Sequence, residues 1–195
     1  MKTFGIIVFL VLALAVVNTS AQNAIDNDRL NGPKKEYYPN GKVSKEYTLE
    51  KGQVNGIYKV YNQKGFLVTE QEYFHGIPHG YFKTFFENGQ IQVVSNFENG
   101  IQKGKSLEYY ENGAVKKDSY LTGEPWEYSG YTNLFYENGS RMSETKVDKG
   151  KLVISISYDK QGRVTIEETD GHSTSYWYEE GTGKKHVIID GKPQD

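Results

Sequence analysis

The chain has 195 residues, a formal net charge of −2 and no cysteine, with 16 Tyr, 9 Phe and 21 Gly against 5 Pro. That balance excludes the basic stripe that would neutralise nucleic-acid phosphates, and it excludes disulfide staples. Abundant aromatics and glycines predict strands and turns, so packing must rest largely on aromatic side chains.

Residues 1–21, "MKTFGIIVFLVLALAVVNTSA", combine Lys2, an uncharged apolar run from Phe4 to Val17, and small polar residues up to Ala21. This layout predicts a secretory signal peptide cleaved after Ala21. The apolar run is shorter than the roughly 20 residues that span a bilayer, so no stable membrane insertion is expected after cleavage. Loss of Lys2 takes the formal charge from −2 to −3. The expected location is the periplasm or the extracellular medium. Residues 22–31 read as a lead-in, 32–190 as a repeat domain and 191–195 as a tail.

The repeat shows in three phased glycine series. Gly41, Gly65, Gly89, Gly113, Gly139 and Gly162 follow one another at intervals of 24, 24, 24, 26 and 23 residues. Gly32, Gly56, Gly80, Gly104 and Gly130 precede the first five by nine residues each, and Gly52, Gly76, Gly100, Gly123 and Gly150 follow them. Aromatic residues keep the same phase: Tyr37, Tyr61, Phe85, Tyr109, Phe135 and Tyr158 stand four before the first-series glycines. Each unit, such as "GYFKTFFENGQIQVVSNF" (80–97), predicts a β-hairpin with a type I′ turn at Asn-Gly. Alternation on its return strand groups Ile91, Val93 and Phe97 on an apolar face, opposite Val94 and its counterparts Glu46, Glu70, Asp118 and Glu144. Loops of the form Gly-x-x-x-Gly (52–56, 76–80, 100–104) are too short for crossover helices. The predicted fold is therefore all-β: a single elongated meander of about six to seven antiparallel hairpins, roughly 14 strands, forming a β-solenoid-like rod.

The units "YYENGAV" (109–115), "FFENGQI" (85–91) and "FYENGSR" (135–141), with Asn-Gly-x-x-x-Gly between hairpins, resemble the bacterial variant of the MORN (membrane occupation and recognition nexus) repeat. The resemblance runs from about Gly32 to Gly181 and fades after Gly150, where Val153 replaces the second-series glycine. It implies a repeat rod without catalytic residues. It also implies lipid or protein contacts, or the antitoxin role with which such proteins are often labelled.

Candidate chemistry is sparse. Glu87, Glu111, Glu137 and Glu179 form a column two residues before turn glycines, but Pro39, Gln63 and Lys160 fill the same position, which suits a solvated turn better than acid–base work. His75 and His79 are the only closely spaced histidines, and both precede loop glycines, so no metal site is expected. No cofactor is expected either. For Tyr37, Tyr61, Phe85, Tyr109 and Phe135 a core role is expected. The next column, Tyr38, Phe86, Tyr110 and Tyr136, is a candidate binding face or a cross-strand packing row. The loop "GEPWEYSG" (123–130) is three residues longer than its siblings and carries Trp126 and Tyr128, either as a contact surface or folded back over the sheet. The expected function is non-enzymatic: an exported scaffold that binds an unidentified protein. The alternatives are an envelope antitoxin or immunity protein, and a glycan-binding or glycan-active protein. Nucleic acid is not an expected partner.

Overall fold

In a computed structural model, residues 29–169, 171–189 and 192–194 are described. The predicted signal peptide and most of the lead-in lie outside them. The strands, in chain order, are β1 (Gly32–Tyr37), β2 (Val43–Glu50), β3 (Gln53–Val54), β4 (Gly56–Tyr61), β5 (Leu67–Phe74), β6 (Ile77–Phe85), β7 (Ile91–Glu98), β8 (Ile101–Gln102) and β9 (Gly104–Tyr109). The second half holds β10 (Val115–Thr122), β11 (Ser129–Phe135), β12 (Arg141–Asp148), β13 (Lys151–Tyr158), β14 (Val164–Thr169), β15 (His172–Tyr178), β16 (Lys185–Ile189) and β17 (Lys192–Gln194). All pairings are antiparallel between successive strands, with β3 and β4 together opposite β2 and β8 and β9 together opposite β7, so the described residues form the single meander sheet that the repeat predicts. The count exceeds the predicted 14 because the middle residues of the Gly-x-x-x-Gly joints are strand, split off as β3 and β8 by breaks at Asn55 and Lys103, and because β17 pairs with β16 beyond the last predicted hairpin.

The type I′ geometry expected at the Asn-Gly tips occurs at the joints instead. At each joint two residues connect paired positions, Glu50 with Gln53, Phe74 with Ile77, Glu98 with Ile101 and Asp148 with Lys151. Both connecting residues have positive φ: Lys51 52° and Gly52 80°, His75 48° and Gly76 77°, Asn99 52° and Gly100 81°, Lys149 49° and Gly150 73°. These joints are the type I′ turns. At the Asn-Gly tips only the glycine has positive φ. There the Gly41 amide donates to the Tyr38 carbonyl at 2.9 Å, and the Tyr38 amide to the Lys42 carbonyl at 2.8 Å. This is a three-residue loop, a tight turn followed by a left-handed glycine, and it recurs at Gly65, Gly89, Gly113, Gly139 and Gly162. The asparagine serves as a side-chain acceptor: Asn112 Oδ1 takes the Ala114 amide at 2.9 Å and Asn138 Oδ1 the Ser140 amide at 3.0 Å. Where Lys64 or Gln161 occupies that place, the acceptor moves two residues back, to Asn62 or Asp159.

An extra residue follows the tip on the return strands β2, β5, β7, β10, β12 and β14. Phe85 faces Ile91 but the preceding Thr84 faces Val93. Ile91 and Val93 therefore lie on opposite faces, which corrects the simple alternation: the inserted residue reverses the parity of the strand. One face then carries a row that alternates in charge across five strands, Lys35, Glu46, Lys59, Glu70 and Lys83. Lys35 and Glu46 approach to 2.6 Å, Lys59 and Glu70 to 3.7 Å. On the other face the second-series glycines stand opposite apolar residues: Gly32 faces Leu49, Gly56 faces Tyr73, Gly80 faces Phe97, Gly104 faces Leu121 and Gly130 faces Val147. At Gly32, Gly56, Gly80 and Gly104 the backbone has φ of 83°, 88°, 85° and 77°, the left-handed region that favours glycine.

A single layer has nothing to pack its faces against. Among the described residues no hydrophobic side chain is buried, and the three buried residues, Gln71, Ser95 and Ser119, are polar. They occupy one row at intervals of 24, each at the middle of its return strand. The expected aromatic core is accordingly half-buried at Tyr61, Phe85, Tyr109 and Phe135, and Tyr37, on the first strand, is exposed.

Candidate functional site

Both long edges of the sheet are stitched from one repeat to the next. At the tip edge, Tyr38 Oη donates to the Tyr61 carbonyl at 2.7 Å, Tyr110 Oη to the Phe135 carbonyl at 2.8 Å, and Tyr136 Oη to the Tyr158 carbonyl at 3.0 Å. Phe86, which has no hydroxyl, is half-buried in the same column. The Tyr38 column thus bridges neighbouring tips with its polar ends, while Tyr110 and Tyr136 also line a groove of about 520 Å³ with Glu137, Asn138 and Lys160. The glutamates at this edge are exposed: Glu87 pairs with Lys64 at 2.9 Å, and Glu137 accepts from Asn112 at 3.4 Å.

At the joint edge, the turn glycine amide of one joint donates to a carbonyl in the joint before. Gly52 donates to Leu30 at 2.7 Å, Gly76 to Val54, Gly100 to Pro78 and Gly150 to Tyr128, the last three at 2.8 Å. Side chains add caps: Asn31 Oδ1 accepts from the Lys51 amide at 2.8 Å, Asn55 Oδ1 from His75 at 3.2 Å, and Ser129 Oγ from Lys149 at 2.9 Å. His75 therefore serves as a turn residue, and its ring packs 4.3 Å from that of Phe74. Among the described residues no group of three or more His, Cys, Asp or Glu is placed to hold a metal ion.

The fourth joint breaks the series. Thr122 pairs with Ser129 and residues 123–128 form the longer loop. Its base is constrained: Gly123 has φ 90°, and a β-carbon there would stand 2.7 Å from the Glu127 carbonyl oxygen. The Glu127 amide closes the loop onto the Glu124 carbonyl at 2.9 Å, and Lys103 reaches Glu124 at 3.7 Å. The Tyr128 carbonyl takes the Gly150 amide, so the next joint holds the far end. On this anchored loop Trp126 is 78% exposed, the highest among the large hydrophobic residues described. Tyr128 sits between two grooves, one of about 260 Å³ with Ile101, Leu121 and Pro125, the other of about 160 Å³ with Thr132, Thr145 and Val147. The sequence singles out Trp126 and Tyr128 by loop length, whereas Ile101 and Leu121 emerge only from strand register. Nothing in this arrangement provides a nucleophile beside a base. It provides an exposed indole and an apolar recess.

Residues 30–51 and 78–99 match the family described as MORN repeat variant. Each matched segment runs from a joint acceptor carbonyl (Leu30, Pro78), through a tip, to the first turn residue of the next joint (Lys51, Asn99). Each matched segment thus spans one structural unit of the rod, and at these two units the chain is similar to the MORN repeat variant. No curated protein matches the chain.

Proposed function

We propose that this hairpin rod, two of whose units match the MORN repeat variant, is an exported, non-enzymatic scaffold that binds a protein partner at its fourth joint, with Trp126 and Tyr128 as the contact residues. The observation that carries this reading is the 78% exposure of Trp126 on a loop whose two ends are held by hydrogen bonds and an ion pair. An exposed Trp on a pre-ordered loop costs little ordering entropy on binding and buries a large apolar area, the two properties of an interface anchor. An indole this exposed gains little from folding, so stability gives little reason for a tryptophan at this place.

The test is to fix the protein to a surface through its C-terminus and capture partners from envelope extract, in parallel with Trp126→Ala. The reading expects specific partners retained by the parent and lost by the variant, with unchanged circular dichroism. Equal retention by both, or recovery of oligosaccharide in place of protein, overturns it. An envelope antitoxin or immunity role is the narrower version. It expects rescue of growth when the chain is coexpressed with a neighbouring toxin, and loss of rescue in the same variant.

A further inference from the structure

The fourth joint is a vacancy in a periodic stack. In the regular joints Gln53 and Ile77, each one residue past a turn glycine, lie over the next joint's glycine, and Leu30, ahead of β1, does the same for Gly52. A β-carbon on Gly52 would stand 3.2 Å from Leu30, on Gly76 3.7 Å from Gln53, and on Gly100 3.6 Å from Ile77. The next member of this column is Ile101, and the place of its covering turn is taken by the longer loop. Ile101 faces instead the groove of about 260 Å³ shared with Leu121, Pro125 and Tyr128.

The backbone records the same vacancy. Leu30, Val54, Pro78 and Tyr128 each accept a glycine amide from the following joint. Gln102 is the counterpart in the remaining joint, and no amide of residues 123–128 donates to its carbonyl. An outward-facing strand carbonyl beside an apolar recess is half of a strand-pairing site. The charges at its rim are unbalanced. Lys103 is shared by two carboxylates, Glu98 at 4.0 Å and Glu124 at 3.7 Å, so the ion-paired group here has one carboxylate in surplus.

Building on the protein-binding reading above, we infer that the fourth joint takes a short extended peptide segment that replaces the missing turn. One peptide amide donates to the Gln102 carbonyl. An aliphatic or aromatic side chain enters the recess between Ile101, Leu121, Pro125 and Tyr128, and a neighbouring Lys or Arg meets the acidic rim. Main-chain pairing gives the segment its register, the recess selects one apolar side chain, and the rim selects the sign of its neighbour.

The probe is a set of acetylated, amidated hexapeptides with a central Val, Leu, Ile, Met or Phe flanked by Lys or by Glu, titrated into the ¹⁵N-labelled protein. Basic-flanked members should saturate, with amide shifts centred on Ile101, Gln102, Leu121 and Tyr128. Methylating the backbone nitrogen that pairs with Gln102 should weaken binding about tenfold, and a Glu flank should weaken it several-fold. Deleting residues 125–127 leaves "GEYSG", the length of a regular joint. That variant should keep the circular dichroism of the parent and lose the peptide. Absence of saturation by every hexapeptide overturns the inference, as do shifts that map elsewhere or indifference to N-methylation. Concentration-dependent shifts at the same amides without peptide overturn it in favour of a second copy of the chain. If Trp126→Ala abolishes capture of a protein partner while all hexapeptides fail, the scaffold reading stands and the strand-pairing inference falls.

Discussion

Tyr110 donates its phenolic hydrogen to the carbonyl of Phe135, 25 residues on and one repeat away, at 2.8 Å. The bond joins two hairpin tips that share no turn, so it couples neighbours rather than closing a unit. Tyr110→Phe removes the hydroxyl and leaves the ring. The expected cost is about 0.5–1.5 kcal/mol, the net worth of one hydrogen bond. Urea denaturation of parent and variant measures it, and an unchanged midpoint refutes the stitching role.

His75 carries φ 48° at the first position of a type I′ turn. Asn tolerates that conformation better than His, and a β-branched residue tolerates it poorly. His75→Asn should leave stability equal or raised, whereas His75→Val should lower it by about 1–2 kcal/mol. Thermal melts of the pair give the order, and a Val variant as stable as the Asn variant contradicts the turn assignment.

Burial, and then the Glu46 carboxylate that accepts its hydrogen at 2.8 Å, push the Tyr61 phenol up to about 12 from an ordinary 10. A folded-state value above the unfolded one means the protonated phenol stabilises the fold. That contribution is complete below pH 10 and is lost as pH rises from 10 through 12. Stability measured across this window should fall more steeply in the parent than in Tyr61→Phe. Parallel curves would show that Tyr61 carries none of the dependence.

Gly123 combines φ 90° with a β-carbon position 2.7 Å from a backbone oxygen. Neither the conformation nor the space suits alanine. Gly123→Ala should lower stability by about 1–3 kcal/mol and change the emission of Trp126, because the loop that carries the indole must shift. Trp126→Ala, which removes only an exposed side chain, should change stability by less than about 0.5 kcal/mol. Reversal of that ranking would show that the indole supports the fold.

The meander was legible because the glycine and aromatic phases repeat over most of the chain, and a joint of five residues leaves room for nothing but antiparallel neighbours. The turn types were not. Asn-Gly suits both a two-residue type I′ loop and a three-residue loop with one left-handed glycine, and only the cross-strand register decides between them. The joints hid their type I′ geometry because Lys51, His75 and Lys149 are not residues that announce positive φ. The face of Ile91 was misassigned for a related reason, since one extra residue after the tip is invisible in a pattern of period two. Tyr38, Tyr110 and Tyr136 stood out in sequence as a column, but their acceptors lie 22–25 residues away and appear only when the tips are stacked. Trp126 was visible because its loop departs from the repeat length, and Gln102 was not, since what marks it is a partner missing from an otherwise regular series.

The skipped bond at Gln102 also has a mechanical meaning. A rod held by nearest-neighbour couplings behaves as a one-dimensional chain of springs, and its compliance gathers where one coupling is absent. The missing bond would cross the hairpin of β9 and β10 at its joint end, where the strand ladder remains, and the tip turn at Gly113 closes the other end. Compliance of this kind is local, and it is expected at the joint end of the fourth hairpin, where the two strands are held by their ladder alone.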